Sequence, residues 1–231
     1  MRTWAERLLF PPHCLLCGGP GSGGLDLCAG CERELPRLRT ACCCCGEPLP
    51  VAIEACGRCQ RRPPPFERTL AALRYRPPVD RLILDLKYRD RLATARLLGE
   101  LLRQRVTGAE LPQALLPVPL HPARLAERGY NQALELARPL AVALDRPLLT
   151  RAVVRVRATP TQTVIDRAAR QRNLRGAFAC TGLLPWRHLA LVDDVMTTGS
   201  TLRELATVLR AGGVERIQVW VCARAGRDDA A

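Results

Sequence analysis

The chain has 231 residues, room for one medium domain beside a small one. Apolar residues make up 48%, which excludes wholesale disorder, and no apolar run approaches the ~18 residues of a membrane-spanning helix. Thirty-five Lys and Arg against 22 Asp and Glu leave a net charge of +13, a surplus that suits polyanionic partners, either nucleic acid or a phosphorylated small molecule.

Aromatic residues, at 4%, are too few for a base-stacking platform. Met1 to Pro12 carries Glu6 and Arg7 among its apolar residues and does not read as a secretory signal, so a cytoplasmic location without membrane insertion is expected. The charge is uneven: residues 1–68 hold nine arginines and seven acids, a net of +2, which leaves +11 for the rest. Lys87 is the only lysine. A chain that writes arginine wherever it needs positive charge has reason to keep one compact ammonium where a planar guanidinium fits badly.

Ten of the twelve cysteines lie between 14 and 59, and eight of them form C-x-x-C pairs: Cys14/Cys17, Cys28/Cys31, Cys42/Cys45 and Cys56/Cys59. Each cysteine of the first two pairs returns 28 residues later, and Cys17-Gly18-Gly19-Pro20 returns as Cys45-Gly46-Glu47-Pro48. The segment is therefore an internal duplication. Thiols at this spacing aim at one ion, and a glycine after the knuckle permits the positive φ of the turn. Disulfides fit poorly in a reducing compartment, so the expectation is two structural zinc ions, each held by four cysteines. Sequential and interleaved pairing use the same spacings, and both stay open. Cys43 and Cys44 read as bystanders. Arg61-Arg62-Pro63-Pro64-Pro65 is a stiff connector. It divides a cysteine-rich module, 1–62, from a larger domain, 63–231.

Beyond the connector, apolar residues recur at helical spacing at Leu82, Ile83 and Leu86, and again at Leu97, Leu98, Leu101 and Leu102. Leu115–Val118 reads as a buried strand, and Leu134–Leu144 as a helix despite Pro139. A second strand covers Leu189–Val192, a helix Thr201–Ala211 stops at Gly212-Gly213, and a third strand covers Ile217–Cys222. The alternation predicts an α/β domain built on a mainly parallel sheet flanked by helices, with ligands at the carboxyl ends of its strands.

The segment Leu189-Ala190-Leu191-Val192-Asp193-Asp194-Val195-Met196-Thr197-Thr198-Gly199-Ser200-Thr201 concentrates the chemistry. A buried strand runs into two carboxylates, then into a hydroxyl-rich loop that opens a helix. Loop amides, hydroxyls and the helix start form an anion cradle. The carboxylates would repel a phosphate and so should face hydroxyls or a metal. A ribose 5-phosphate satisfies both halves. Neither G-x-x-x-x-G-K-[ST] nor G-x-G-x-x-G occurs, so the P-loop and Rossmann readings lack their motifs.

This string resembles the phosphoribosyl-pyrophosphate (PRPP) motif of type I phosphoribosyltransferases. The resemblance implies that Asp193 and Asp194 hold the ribose hydroxyls, and that Thr197, Thr198, Gly199, Ser200 and Thr201 bind the 5-phosphate. Members acting on 6-oxopurines carry an aspartate where this chain has Thr197, so a hypoxanthine or guanine substrate is not implied.

Further motifs are similar to those of the ComF/GntX proteins. They are Leu86-Lys87-Tyr88, Leu116-Pro117-Val118-Pro119-Leu120-His121-Pro122, Arg124 with Arg128-Gly129-Tyr130-Asn131-Gln132, and Thr159-Pro160-Thr161-Gln162-Thr163 running to Arg170, Asn173, Gly176 and Phe178. A double Cys₄ zinc-ribbon front also belongs to that family, so the resemblance spans about Pro12 to Arg224. It implies a pyrophosphate loop at Leu120 and His121, with Arg124, Arg128 and Lys87 as charge partners. It also implies a mobile hood containing Gln162, Arg170 and Asn173, from which Val164 departs where a small residue is expected. The implied ligands are PRPP with Mg²⁺, and the implied process is natural competence and the handling of single-stranded DNA. No catalytic residue is singled out. Three functions follow as expectations: a Mg²⁺-dependent phosphoribosyltransferase of unknown acceptor, a non-catalytic PRPP sensor or adaptor in DNA uptake, and a single-stranded-DNA binder with a vestigial pocket. The Arg-rich stretch 146–175 suits either a hood over the site or a nucleic-acid-facing surface.

Overall fold

The computed structural model describes residues 11–88, 92–158 and 174–226. Gln162, Arg170 and Asn173 lie outside them. Helices α1 (Ala29–Glu34) and α2 (Gly57–Arg61) belong to the cysteine segment. Then follow β1 (Arg68–Arg74), α3 (Val79–Tyr88), α4 (Leu92–Val106), β2 (Ala114–Pro117), α5 (Pro122–Arg128) and α6 (Gln132–Leu144). The chain continues through β3 (Val153–Arg155), β4 (Phe178–Cys180), β5 (His188–Met196), α7 (Ser200–Ala211) and β6 (Arg216–Arg224). No described helix is long and apolar enough to cross a membrane.

β1, β6, β5 and β2 form one parallel sheet in that order, while β3 and β4 make a separate antiparallel pair. The parallel sheet is buried on both faces, as its near-continuous apolar strands require. On one face Leu115, Ala190, Val192, Trp220 and Cys222 pack with Leu82, Ile83 and Leu86 of α3, Leu98 and Leu101 of α4, and Leu136 and Leu140 of α6. On the other, Leu116, Leu191, Val219 and Val221 pack with Leu202, Leu205 and Leu209 of α7 and with Val153 and Phe178 of the β3–β4 pair. Pro139 sits inside α6, and a Cβ on Gly99 would lie 3.4 Å from its Cγ. The glycine lets α4 approach α6 where the proline ring stands.

The internal duplication is visible atom by atom. Gly18 N donates to Cys14 O and Cys14 N to Gly19 O, and Gly46 N and Cys42 N repeat this with Cys42 O and Glu47 O. Gly18 (φ 79°) and Gly46 (φ 65°) both take the left-handed turn. Cys28 and Cys56 are the N-caps of α1 and α2. The two halves straddle the sheet: Cys14, Leu27 and Leu35 join one core, and Leu38, Cys42, Cys45 and Cys59 the other.

Between them the chain covers the free edge of β1. Leu38 N donates to Ala72 O (3.0 Å), Arg74 N to Pro36 O (2.7 Å) and Thr69 N to Cys43 O (2.9 Å). Residues 147–149 cover β2 in the same way, through Leu115 N to Pro147 O (2.9 Å) and Leu149 N to Leu115 O (2.8 Å). Neither edge of the sheet is left as a bare pairing template.

Candidate functional site

Cys14, Cys17, Cys28 and Cys31 form one cluster and Cys42, Cys45, Cys56 and Cys59 the other, with the sulfurs of each within 4.8 Å of one another. The pairing is sequential. Cys17 Sγ lies 3.7 Å from Cys28 Sγ, and Cys45 Sγ 3.8 Å from Cys56 Sγ. A Zn–S bond of about 2.3 Å puts the sulfurs of a tetrahedron about 3.8 Å apart, far longer than a disulfide. The donor set therefore fits Zn²⁺.

Protonation supports the fit. Burial raises the Cys14 thiol, but the amides of Cys28, Cys17 and Leu16 bring it down to about 6. Cys56 likewise falls to about 7 against its burial, through bonds with Cys59, Cys45 and Cys42. Their neighbours Cys31 and Cys59 are pushed strongly up, Cys31 first by its contact with Cys28 and Cys59 first by burial. Four thiolates at this separation coexist only around a divalent cation. Cys43 and Cys44 stand outside both clusters. Their carbonyls accept instead from Thr69 N and Thr69 Oγ1, the latter at 2.8 Å.

The second site lies at the carboxyl end of the parallel sheet. β5 continues four residues past the Leu189–Val192 core, so Asp193 and Asp194 are strand residues, Asp193 in register with Val221 of β6. Asp194, 7% exposed, meets the end of α3: its Oδ2 is 2.9 Å from Lys87 Nζ. Burial alone would lower the Lys87 ammonium's pKa, but the Asp194 charge and then the Asp193 charge outweigh it and the net shift is upward. Asp193 has no such partner in contact among the described residues. Burial, and next the Asp194 charge, push its carboxyl up to about 8. Asp193 Oδ1 accepts from Asp194 N, and Asp194 Oδ1 from Val195 N.

After Met196 the chain turns through Thr197 and Thr198. Thr198 Oγ1 is 2.9 Å from Ser200 Oγ, and Ser200 N donates to Thr198 Oγ1 at 3.3 Å. Gly199 is the N-cap of α7 in the left-handed region (φ 75°), with no side-chain cap bond. The start of this twelve-residue helix thus keeps amides for an anion. A Cβ on Gly199 would come within 2.5 Å of Met196 Cε, and Met196 is buried. Gly199→Ala is therefore expected to cost about 2 kcal/mol in a denaturant titration, mostly from the left-handed backbone, and to displace the loop.

The remaining residues surround these two features. His121 is the N-cap of α5, a helix that apolar periodicity does not reveal, and its Nδ1 accepts from Ala123 N at 3.3 Å. Arg128 Nη1 donates to Gln132 Oε1 (3.1 Å), and the guanidinium lies over the Tyr88 ring at 5.3 Å, beside Lys87. The Gly129-Tyr130-Asn131 run is architectural. Gly129 ends α5 with φ 76°, Tyr130 OH donates to Leu86 O, and Asn131 caps α6 while its Nδ2 donates to Val118 O. It fixes the Pro117–Arg128 loop against the end of α3.

Two arginines join the site that sequence reasoning does not assign to it. Arg155 of β3 lies over Phe178 at 5.6 Å. Burial and then the Arg124 charge lower its pKa while the Asp193 charge opposes them. Arg224, the last residue of β6, reaches the turn after β5: its Nη1 donates to Thr197 O at 2.7 Å. Neither stands out in the sequence, since Arg155 is one of many arginines in a basic stretch and Arg224 merely follows an apolar run.

Known proteins resemble this chain over nearly its whole length. A family model described as a double zinc ribbon domain matches residues 5–60. The DNA utilization protein YhgH of Escherichia coli K12 is 38% identical over 224 residues, covering 94% of this chain and 99% of the relative. The competence protein F of Haemophilus influenzae is 39% identical over 226 residues, with 94% and 98% covered. A solved structure titled as the allosteric regulatory enzyme of purine biosynthesis aligns with TM-score 0.39 and 20% identity. That alignment covers 60% of this chain and 29% of the enzyme, a likeness too loose to carry weight.

Proposed function

The chain belongs to the ComF/GntX family, with the competence protein F and DNA utilization proteins as its relatives, and from that premise we propose that it binds PRPP with Mg²⁺ as a phosphoribosyltransferase serving DNA uptake. One juxtaposition carries the reading. A buried carboxylate and a half-buried one at the end of a central parallel strand lead directly into a hydroxyl-lined turn and a helix whose N-cap, Gly199, makes no side-chain cap bond. In this reading Asp193 and Asp194 accept the ribose hydroxyls, and the loop Thr197–Thr201 binds the 5-phosphate. Residues 63–231 form the working domain, and residues 1–62 the zinc-held brace against its sheet.

Pyrophosphate leaves from an anomeric carbon that develops positive charge, so the site must hold two anions apart and exclude water. In this reading Lys87, which pairs with Asp194, and Arg128, which lies over the neighbouring Tyr88 ring, receive the diphosphate together with Arg124, Arg155, Leu120 and His121. Mg²⁺ arrives with the diphosphate and screens its charge. Lys87 is held by Asp194 until ligand arrives, and a hydroxyl donating to Asp194 would free the ammonium for the diphosphate. Enzymatic turnover is tested by pyrophosphate release from PRPP across candidate acceptors. Tight binding without release with any acceptor would support the sensor reading.

Protonation gives a sharper signature. Asp193 is largely protonated at pH 7 because its carboxyl is pushed up to about 8. It must ionise to accept both hydroxyls, so binding releases a proton. PRPP affinity is expected to rise up to about tenfold per pH unit from about pH 7, where the ligand's phosphates are already ionised, and to level above about 8. Titration calorimetry in buffers of different ionisation enthalpy checks this, and a flat profile with no proton released would contradict it.

A further inference from the structure

We infer that Arg224 is a positioning residue that fastens the Thr197–Thr201 loop to the second zinc ribbon, so that metal held by Cys42, Cys45, Cys56 and Cys59 and a phosphate held by that loop stabilise one another. The ligand half of this inference rests on the proposed PRPP reading. Arg224 is 1% exposed, and all three of its side-chain nitrogens are engaged. Nη1 donates to Thr197 O (2.7 Å), Met196 O (3.2 Å) and Ala225 O. Nη2 donates to Glu47 Oε2 (2.8 Å) and Nε to Cys45 O (3.0 Å). One guanidinium therefore spans the turn that follows β5 and the knuckle that carries a zinc ligand.

The planar fork makes the span rigid. Gly46, between Cys45 and Glu47, is seated so closely that a Cβ would meet Thr69 Cγ2 at 2.8 Å. The knuckle cannot shift without moving Arg224, and Arg224 cannot shift without releasing the Thr197 carbonyl.

The duplication shows that this contact belongs to one ribbon only. Where the second repeat has Glu47, the first has Gly19, the point at which Cys17-Gly18-Gly19-Pro20 and Cys45-Gly46-Glu47-Pro48 part. The first knuckle lacks the carboxylate and serves as an internal control. The second ribbon also carries further positive charge against its sulfurs: Arg58 Nη2 lies 3.6 Å from Cys45 Sγ. Four thiolates around one Zn²⁺ leave a net charge of −2, which these guanidiniums offset.

A contact that merely glued the ribbon to the sheet would give the same distances, so the test needs a control that loosens the same boundary elsewhere. Thr69→Val removes the hydroxyl that donates to Cys44 O and leaves Arg224 alone. In full-length, zinc-replete protein, Glu47→Gln should keep both zinc ions. Exchange of the backbone amides at 196–201 should speed about tenfold, the equivalent of one charge-assisted hydrogen bond. Affinity for PRPP with Mg²⁺ should fall by about 5–150-fold. Thr69→Val should do neither. By reciprocity, PRPP should slow chelator-driven zinc release from the second ribbon and leave the first unaffected.

Arg224→Met should match or exceed Glu47→Gln, and if it does not fold, Glu47→Gln decides. Loop exchange and PRPP affinity in Glu47→Gln equal to those of the parent would overturn the positioning role. Loop exchange that responds to Glu47→Gln in a protein that never binds PRPP would instead overturn the pocket reading and the linkage to PRPP, and keep the mechanical link.

Discussion

Replacing Asp193 and Asp194 by asparagine should abolish PRPP binding while zinc content stays at two ions per chain. The exchange keeps volume, and the carboxamide oxygens at positions 193 and 194 can go on accepting the amides that the aspartates now hold. What disappears is charge. Hydrogen bonds to a charged group contribute about 1.5–3 kcal/mol each, so losing those to two ribose hydroxyls weakens binding by at least about a hundredfold. The single variants should separate in stability. Asp193 is a carboxyl whose ionisation burial opposes, so its folded-state pKa lies above its unfolded value and it costs stability as pH rises toward about 8. Asp193→Asn should therefore be more thermostable than the parent at pH 8. Asp194→Asn leaves the Lys87 ammonium without its counter-charge and should be less stable. A residue whose removal stabilises the fold but destroys binding is the signature of a functional strain. Equal PRPP affinity in the double variant would remove the site from consideration.

The second large effect concerns the metal. A structural zinc ion contributes about 10–16 kcal/mol of apparent binding free energy, as much as an entire domain's stability. Without it the pairs Cys17–Cys28 and Cys45–Cys56 have no reason to stay at 3.7 and 3.8 Å. Cys42→Ser should lose one zinc ion and melt the second ribbon, stripping cover from β1. Cys42 is fully buried, whereas Cys17 is exposed, so Cys17→Ser should lose one ion with a smaller fall in melting temperature. Metal analysis beside thermal unfolding checks both. Two ions retained in Cys42→Ser would contradict its place as a zinc ligand.

Much of this is legible from residue types and spacing. The 28-residue cysteine repeat announces paired ribbons, because thiols separated by two residues aim at one ion. The apolar run ending in Asp193 and Asp194 marks a strand tip, and the solitary Lys87 stands 2.9 Å from the second of those acids. Pairing of the ribbons is not legible, since identical spacings serve both arrangements. Nor is strand β1, whose Leu70-Ala71-Ala72-Leu73 core reads as well in a helix and becomes a strand through pairing with β6. The three-residue strands of the β3–β4 pair are too short for periodicity to register. His121-Pro122 carries a helix-start signal, a cap followed by proline, but the helix it opens is one short turn pair without an apolar stripe. Arg224 escapes because its partners lie 177 residues away at Glu47 and 27 away at Thr197. Only the folded sheet brings them together.

In the proposed function the acidic strand tip and the hydroxylated turn together hold a phosphorylated ribose. Calorimetric titration of zinc-replete protein with PRPP and Mg²⁺ tests it most directly. Saturable one-to-one binding is predicted, displaced by ribose 5-phosphate and accompanied by proton release below pH 8. Absence of binding heat in a protein that carries both zinc ions and unfolds cooperatively would contradict it.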